Sequence, residues 1–588
     1  MGSRGWRVRT LPLLLASLGA VPALAADAPD TEFKFSGRMA YGAVYRMEAR
    51  DPALLTSYNA AAIGLVGTGM GPNADDADLN YARHDAVSRA LVGSFELRFK
   101  RADLRGAVQV DGWRDFALRN DGRPWGNAIN GYAAGQPLGD EGADRLAQFS
   151  GVALGEAWLE QGLRIGEVKL LGRAGRQAAP WSERGIALET IGARNMAAMR
   201  RAGTTPQETR IASPMLFGRI EFTPSLALEG FVQTFRASAV DVCGSFWSVN
   251  DYASLGCNLA MVGPPAGTSD RARVGLGALM QRSGTIEPES RNRGLALFWA
   301  PPGGATTLGL YHARYGWRMP MPGLIRSSRV GAPIVAGNPD GKNQSFFVEY
   351  PDNTALTALT LTQRVGAATL GAELSYRAGV PFMISPADVV PAFMSATAAS
   401  LLRERANAVP PGGVFHGFDL YGMGQLQLNL QRRWNLSGVQ LNGTVEVVAK
   451  HTPGLPDQQV LRYGRSDIYG TGPINGVCNV TTGDAARQCS SRGYQTANAW
   501  GYRLRMEAGQ IALAPELLGQ VIVGFNKDVK GWSGDFSLSE GRRTLTLALR
   551  MELARRYFGE IGYFASMGGD YSTLVDRDTI LVAAGVRF

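Results

Sequence analysis

The sequence predicts an all-β chain: a transmembrane antiparallel outer-membrane β-barrel of about 18 strands, with long extracellular loops and helical loop segments folded into the lumen. Three observations carry this reading. Apolar and polar residues alternate over long runs, and short turns alternate with long connecting segments. Beyond the first 25 residues, no segment has the roughly 18 consecutive apolar residues that a membrane helix needs.

The N-terminus comes first. Arg4, Arg7 and Arg9 precede an apolar run from Leu11 to Val21 and the A-x-A site Ala23-Leu24-Ala25. Residues 1–25 therefore read as a secretory signal peptide, and 26–588 as a single barrel domain.

Taken in order, the strands are expected near 33–47, 86–100, 102–117, 149–161, 164–176 and 212–223, then 225–237, 291–301, 305–317, 352–364, 366–378 and 415–432. The last six are expected near 437–451, 498–512, 517–530, 541–554, 556–568 and 577–588. In the second, Leu91, Gly93, Phe95, Leu97 and Phe99 face one way and Ser94, Glu96, Arg98 and Lys100 the other. Leu426, Leu428 and Leu430 alternate with Gln425, Gln427, Asn429 and Gln431, and the runs from Tyr502 and Leu545 repeat the pattern. One apolar and one charged face suit a wall between lipid and a wet lumen, whereas a soluble sandwich would enclose the apolar face.

The connections support the barrel. Short turns at 100–103, 223–225, 300–304 and 432–435 define one rim. Long loops near 48–85, 118–148, 177–211, 238–290, 318–350, 379–414 and 452–497 define the other. Residues 272–282 also look strand-like, but counting them makes the strand number odd, so they are assigned to a loop. Glu183–Ala202 and Ser385–Ala406 carry helix-compatible spacing and are expected to narrow the lumen.

The full chain has a formal net charge of +9, which falls to +6 without the three leader arginines. No Lys/Arg run is present, so nucleic acid is not an expected partner. The 74 glycines fit turns and close-packed strands. Cys243, Cys257, Cys478 and Cys489 fall two by two in separate loops, so the simplest pairing is Cys243/Cys257 and Cys478/Cys489. A metal site lacks CxxC spacing and a nearby histidine.

Several motifs resemble the DUF1302 family of proteobacterial proteins. They are Asn73-Ala-Asp-Asp-Ala-Asp-Leu-Asn-Tyr81 with His84-Asp85 and Ser88, Gly175-Arg176-Gln177 with Trp181-Ser182-Glu183, and Phe246-Trp-Ser-Val-Asn-Asp251. Gly309-Leu-Tyr311 with Arg318-Met-Pro320, and Glu373-Leu-Ser-Tyr-Arg377 with Pro381, follow in order. Ser182-Glu183 and Asn195-Met196 depart from the pattern. The resemblance implies a large outer-membrane channel, a hydrophobic small molecule such as a steroid or aromatic compound, and an RND-type exporter as a partner; a periplasmic carrier is the other partner a docking role would take.

Lumen-lining candidates are Glu96, Arg98, Lys100, Arg105, Asp111, Arg114, Glu446, Lys450, Arg503, Arg505, Glu507, Arg550 and Glu552, together with Arg176 and Gln177. Such charges tune solute selectivity, or pair to stiffen the wall and anchor an inner loop. Asp75, Asp76 and Asp78 offer oxygen ligands for Ca²⁺, although the spacing lacks the Gly and the bidentate Glu of a calcium hand. Phe382, Met383, Ile384, Pro391, Phe393 and Met394 form an apolar loop segment that either docks a greasy solute or packs on itself.

The final run, with Ile580, Val582, Ala584 and Val586 on one face, ends at Phe588. That pattern resembles the recognition signal of outer-membrane proteins for the barrel-assembly machinery. The reading is thus a channel or passive transporter for hydrophobic or amphipathic small molecules, set in outer-membrane lipid and lipopolysaccharide, with no cofactor. The alternative is a non-conducting docking partner. A hydrolase, the weaker alternative, needs a Ser facing His312 or His451.

Overall fold

The computed structural model describes residues 31–181, 184–262, 267–478 and 483–588. The expected signal peptide at 1–25 and the motif residues Ser182 and Glu183 lie outside them. The wall is a single 18-stranded antiparallel sheet. Its first nine strands are β1 (Glu32–Arg46), β2 (Ala86–Arg101), β3 (Leu104–Asp115), β4 (Ser150–Ile165), β5 (Val168–Gln177), β6 (Ser213–Thr223), β7 (Leu226–Gln233), β8 (Asn292–Trp299) and β9 (Thr306–Tyr315). The other nine are β10 (Thr354–Val365), β11 (Ala368–Met383), β12 (Phe418–Leu436), β13 (Val439–His451), β14 (Asn498–Ala514), β15 (Leu517–Lys530), β16 (Arg543–Leu553), β17 (Tyr557–Met567) and β18 (Thr579–Arg587).

Every strand expected from the sequence is present, with ends shifted by a few residues. β11 runs past its expected end because, after a bulge at Ala378 and Gly379, its ladder with β12 resumes from Val380↔Tyr421 to Met383↔Phe418. The loop expected from 379 therefore begins at Ile384. Tight turns close the short rim: Ser437 and Gly438, at φ 49° and 86°, join β12 to β13 in the left-handed conformation that a two-residue hairpin needs.

β1 and β18 close the barrel, in register from Arg38↔Arg587 to Arg46↔Thr579. The pairing reaches the last residue: Gly37 N donates to Phe588 O at 2.8 Å, and Phe588 N to Gly37 O at 3.0 Å. The Phe588 ring lies between Phe35 and Phe95 on the outer face, with centroids 6.1 and 5.9 Å away. Closure gives every wall strand a ladder partner on both sides over at least part of its length, so the wall can sit in lipid. Leu163, Leu216, Leu295, Leu310, Leu374 and Val582 are exposed on the outer surface, as a lipid-facing wall requires.

The long loops fold inward. Segments Leu259–Ala260, Met280–Ile286, Ser345–Glu349, Met321–Ile325 and Val414–His416 form a second, five-stranded sheet, in which Met280–Ile286 and Ser345–Glu349 run parallel. Residues 272–282 are thus a loop with respect to the wall, divided between a helix (Asp270–Leu276) and this inner sheet. Neither expected helical stretch is continuous. The first breaks into Ile186–Glu189 and Met196–Met199 because Ala193 and Arg194 pair with Ile211 and Arg210. The second breaks into Pro386–Met394, which carries Pro391, and Arg403–Ala408.

Candidate functional site: the lumen and the insert that fills it

Toward the short-turn rim the inner wall is wet and charged, and its charges come in pairs. Arg98 lies 2.9 Å from Glu96, Arg503 3.1 Å from Glu446, Arg505 2.6 Å from Glu507 and Arg550 3.3 Å from Glu560. Arg587 pairs with Glu552, while Lys100 and Arg105 face each other in register. The Arg98 side chain is 64% exposed, so this end of the lumen is open to water. Exposed pairs of this kind add little stability; their effect is a lumen lined with both signs of charge.

Toward the long-loop rim the lumen is filled, and one stretch of its wall is apolar rather than polar. The insert formed by residues 178–212 packs Trp181, Ala187, Leu188 and Ile191 against Phe231, Tyr311, Leu356 and other inward residues of β6–β10. The Trp181 ring meets Phe231 at 4.9 Å and Tyr311 at 5.5 Å, and its Nε1 donates to Glu229 at 2.9 Å. On the far side the insert touches the closure strands. A Cβ on Gly42 would come 2.6 Å from that of Ala202, so only glycine allows this approach.

Polar anchors fix the insert at both ends. Arg38 on β1 donates to Glu208 at 2.6 Å, and Arg318 donates to Ile191 O at 3.0 Å. Glu373 accepts from Ala187 N, and Gln427 Oε1 from Ile186 N, each at 3.1 Å. Backbone groups of the insert that lie away from water are thereby satisfied by wall side chains.

Four expected lumen residues are placed differently. Arg114 is on the outer face: it pairs with Leu91, and three positions separate it from inward Asp111, an odd step that reverses the side of a strand. There it lies over the Phe116 ring at 5.5 Å. Gln177 is buried and donates to Met215 O at 3.1 Å. Lys450 faces inward but is buried, donating to Asp535 and Ser537, each at 2.6 Å. Asp111 points inward and accepts from Gln109 at 2.9 Å.

The fourth, Arg176, belongs to the outer face, since it pairs with Pro214, two positions from outward Leu216, and it marks a seam in the wall. The β4–β5 ladder begins only at Ala157↔Arg176, so residues 150–156 of β4 have β3 as their ladder partner and, among the described residues, no strand on the other side. Arg176 Nε crosses this end and donates to Leu154 O and Gly155 O, each at 3.1 Å. Behind it lies a cavity of about 50 Å³, bordered by Asp111, Gly155 and Arg176 from the wall and Ala198, Arg201 and Glu208 from the insert.

The acidic cluster divides. Asp78 is gripped by Arg577 at 2.8 and 2.7 Å and by Arg46 at 3.0 Å, away from its neighbours. Burial and the adjacent Asp576 push its carboxyl up to about 7, against the pull of the two arginines. Asp75 accepts from Thr56 N at 2.9 Å and from its hydroxyl at 2.8 Å, and Asp76 accepts from Trp125 Nε1 at 2.6 Å. The acid that joins them is Asp251, from the loop between β7 and β8.

Two buried ion groups went unread in the sequence. Asp535 accepts from Lys450 and from Arg377, each at 2.6 Å. Arg462 holds Asp388 at 2.9 and 2.6 Å. Arg377 ends the run Glu373–Arg377, so for the first group the available signal was an arginine inside a signature run. The cysteines pair as Cys243–Cys257 and Cys478–Cys489. His312 and His451 are exposed on the outer face, bonded to Thr357 at 3.0 Å and Asn498 at 2.8 Å, so neither makes the Ser/His pair of the hydrolase alternative. Phe382, Ile384 and Phe393 are buried with Phe346, Val348 and Phe415 in the loops' own core, and Met383 and Met394 pack against it partly buried.

A closed, even-stranded barrel with an apolar outer wall and a folded internal cap is an outer-membrane β-barrel. The chain belongs to the family described as a protein of unknown function, DUF1302, whose model matches residues 6–588. Among solved structures it is similar to OccK9 (OpdG) of Pseudomonas aeruginosa, with a TM-score of 0.37 and 11% identity over 95% of this chain and 98% of that one. It is also similar to OccAB1 of Acinetobacter baumannii (TM-score 0.39, 8% identity, 95% and 96% covered). A BenF-like porin of Pseudomonas fluorescens gives 0.37 and 10%, with 95% and 98% covered. No curated protein matches it.

Proposed function

We propose that this protein is an outer-membrane channel that passively passes a hydrophobic or amphipathic small molecule. The observation that carries the reading is the boundary between insert and wall. One half of the lumen is open to water and the other is closed by the insert, so a solute's route runs along that boundary. The 50 Å³ cavity lies on it, directly behind the β4–β5 seam. In this cavity a solute meets the apolar side chains of Val92, Trp113, Leu146 and Leu154 beside the charges of Asp111, Arg201 and Glu208. Val152 and Leu154 of β4, exposed on the lipid side, flank the seam.

The test pairs planar-bilayer conductance of the purified protein with uptake by cells that lack it. Single-channel steps, together with slowed uptake of apolar carbon sources that is restored by the intact gene, are expected. A protein with no conductance, whose loss leaves uptake of every such compound unchanged, would instead be a docking partner for an exporter or periplasmic carrier. In-cell cross-linking would then recover a stoichiometric partner.

A further inference from the structure

We propose that Asp75, Asp76 and Asp251 form a binding site for a divalent cation of the calcium type, which ties the first long loop to the loop between β7 and β8. A carboxylate oxygen of each lies within 4.8 Å of the others, and all three side chains are buried. The set is oxygen only, with no histidine or thiolate, and hard cations of this class take such donors.

A second observation points to an ion rather than to a closed hydrogen-bond network. Among the described residues nothing donates to Asp76 Oδ2 or Asp251 Oδ1, although both side chains are almost fully buried. Asp270, equally buried, also keeps Oδ1 without a partner, and Asn59 joins it to Asp75 by donating to both carboxylates. Among described residues of a native interior, carboxylate oxygens left bare in this number call for a cation. Arg273 acts on Asp270, and Arg271 on Asp76 from its place over the Trp125 ring, but neither guanidinium bonds to the bare oxygens of Asp76 and Asp251.

The loops are built to present these ligands. Asp251 lies inside the loop closed by Cys243–Cys257, and its backbone N–H donates to Asn73 O at 2.9 Å. Asp76 N returns a bond to Asp251 Oδ2 at 3.4 Å. Tyr81 and Phe246, at the far ends of the same two motifs, meet edge to face at 5.6 Å. Two signature runs that are remote in sequence therefore converge on one cluster, and the ion would be their shared charge partner.

The test uses the full-length protein in detergent after chelator treatment. Equilibrium dialysis with Ca²⁺ should show one ion bound per chain. Tb³⁺ should give emission excited through Trp125, whose Nε1 is 2.6 Å from Asp76 Oδ1, and Ca²⁺ should displace it. Asp251→Asn should weaken both probes by at least about tenfold, since a carboxylate ligand is lost, while Asp570→Asn at an exposed position should leave them unchanged. If folded wild-type protein binds no Ca²⁺ at about 1 mM, the weak end of extracellular sites, the proposal is overturned and the carboxyls share protons instead. Tb³⁺ that binds without sensitised emission, or binding indifferent to Asp251→Asn, would overturn it too. Should Asp251→Asn fail to fold, the wild-type dialysis and emission decide alone.

Discussion

Lys450 on β13 donates to Asp535 at 2.6 Å, and Arg377 on β11 reaches the same oxygen at the same distance. One carboxylate from the short loop between β15 and β16 thus neutralises two cations that the wall turns inward at the rim of the insert. Asp535→Asn leaves both cations buried with a neutral partner. Breaking a buried ion group in this way costs about 3–5 kcal/mol. Urea titration of the folded barrel should show the loss, and an unchanged midpoint would mean that Lys450 and Arg377 are solvated.

Acid should act through the same carboxylate. Burial opposes the Asp535 charge, but Lys450 and Arg377 outweigh it and hold its carboxyl well below the ordinary 3.8. Below about pH 4 the unfolded chain therefore binds more protons than the folded one. The stabilisation is complete above that pH and is lost as the pH falls through the folded-state value. Hydrogen-exchange protection factors of residues 531–542, taken relative to the intrinsic rate at each pH, should fall between about pH 5 and about pH 2.5, and Asp535→Asn should flatten the change. A profile identical in the variant refutes the assignment.

Trp181→Ala removes the insert's largest contact with the apolar wall and leaves Glu229 to Arg184 and Arg219. Such a cavity costs about 3–5 kcal/mol. Unitary conductance should rise as the insert loosens. Equal conductance and equal melting would show that the insert is held elsewhere.

The two disulfides should reduce in order. Cys243 and Cys257 are fully buried, whereas Cys478 and Cys489 are partly exposed. A thiol must reach the sulfur it attacks, so mild reductant followed by alkylation and mass mapping should label Cys478 and Cys489 first. Losing the 14-residue Cys243–Cys257 bridge should then cost about 3 kcal/mol in the loop-entropy account. Labelling of both pairs at one rate would mean that the cap opens freely.

The wall was legible because each strand carries its own period of two, a signal local to a dozen residues. Register parity was legible as well, and Arg114 was misplaced only where an odd step from Asp111 went uncounted. The interior was not legible, since its contacts join distant positions. Arg577 and Asp78 are 499 residues apart and nothing near either names the other. For the same reason Asp75 and Asp76 were grouped with Asp78, their neighbour in the chain, instead of with Asp251. The broken helices mislead differently: Ala, Leu and Met at helical spacing are also what a packed insert needs, and only the pairing of Ala193–Arg194 with Arg210–Ile211 decides against a continuous helix.

The parallel pairing of Met280–Ile286 with Ser345–Glu349 has a consequence for the wall. These segments come from loops on either side of the β8–β9 hairpin, and Val414–His416, from a third loop, completes the sheet. No stretch of chain free of wall strands contains this sheet, since β8–β11 lie between its pieces. The inner sheet is therefore tied to the wall: any change that displaces strands β8–β11 also displaces the pieces of the cap they connect.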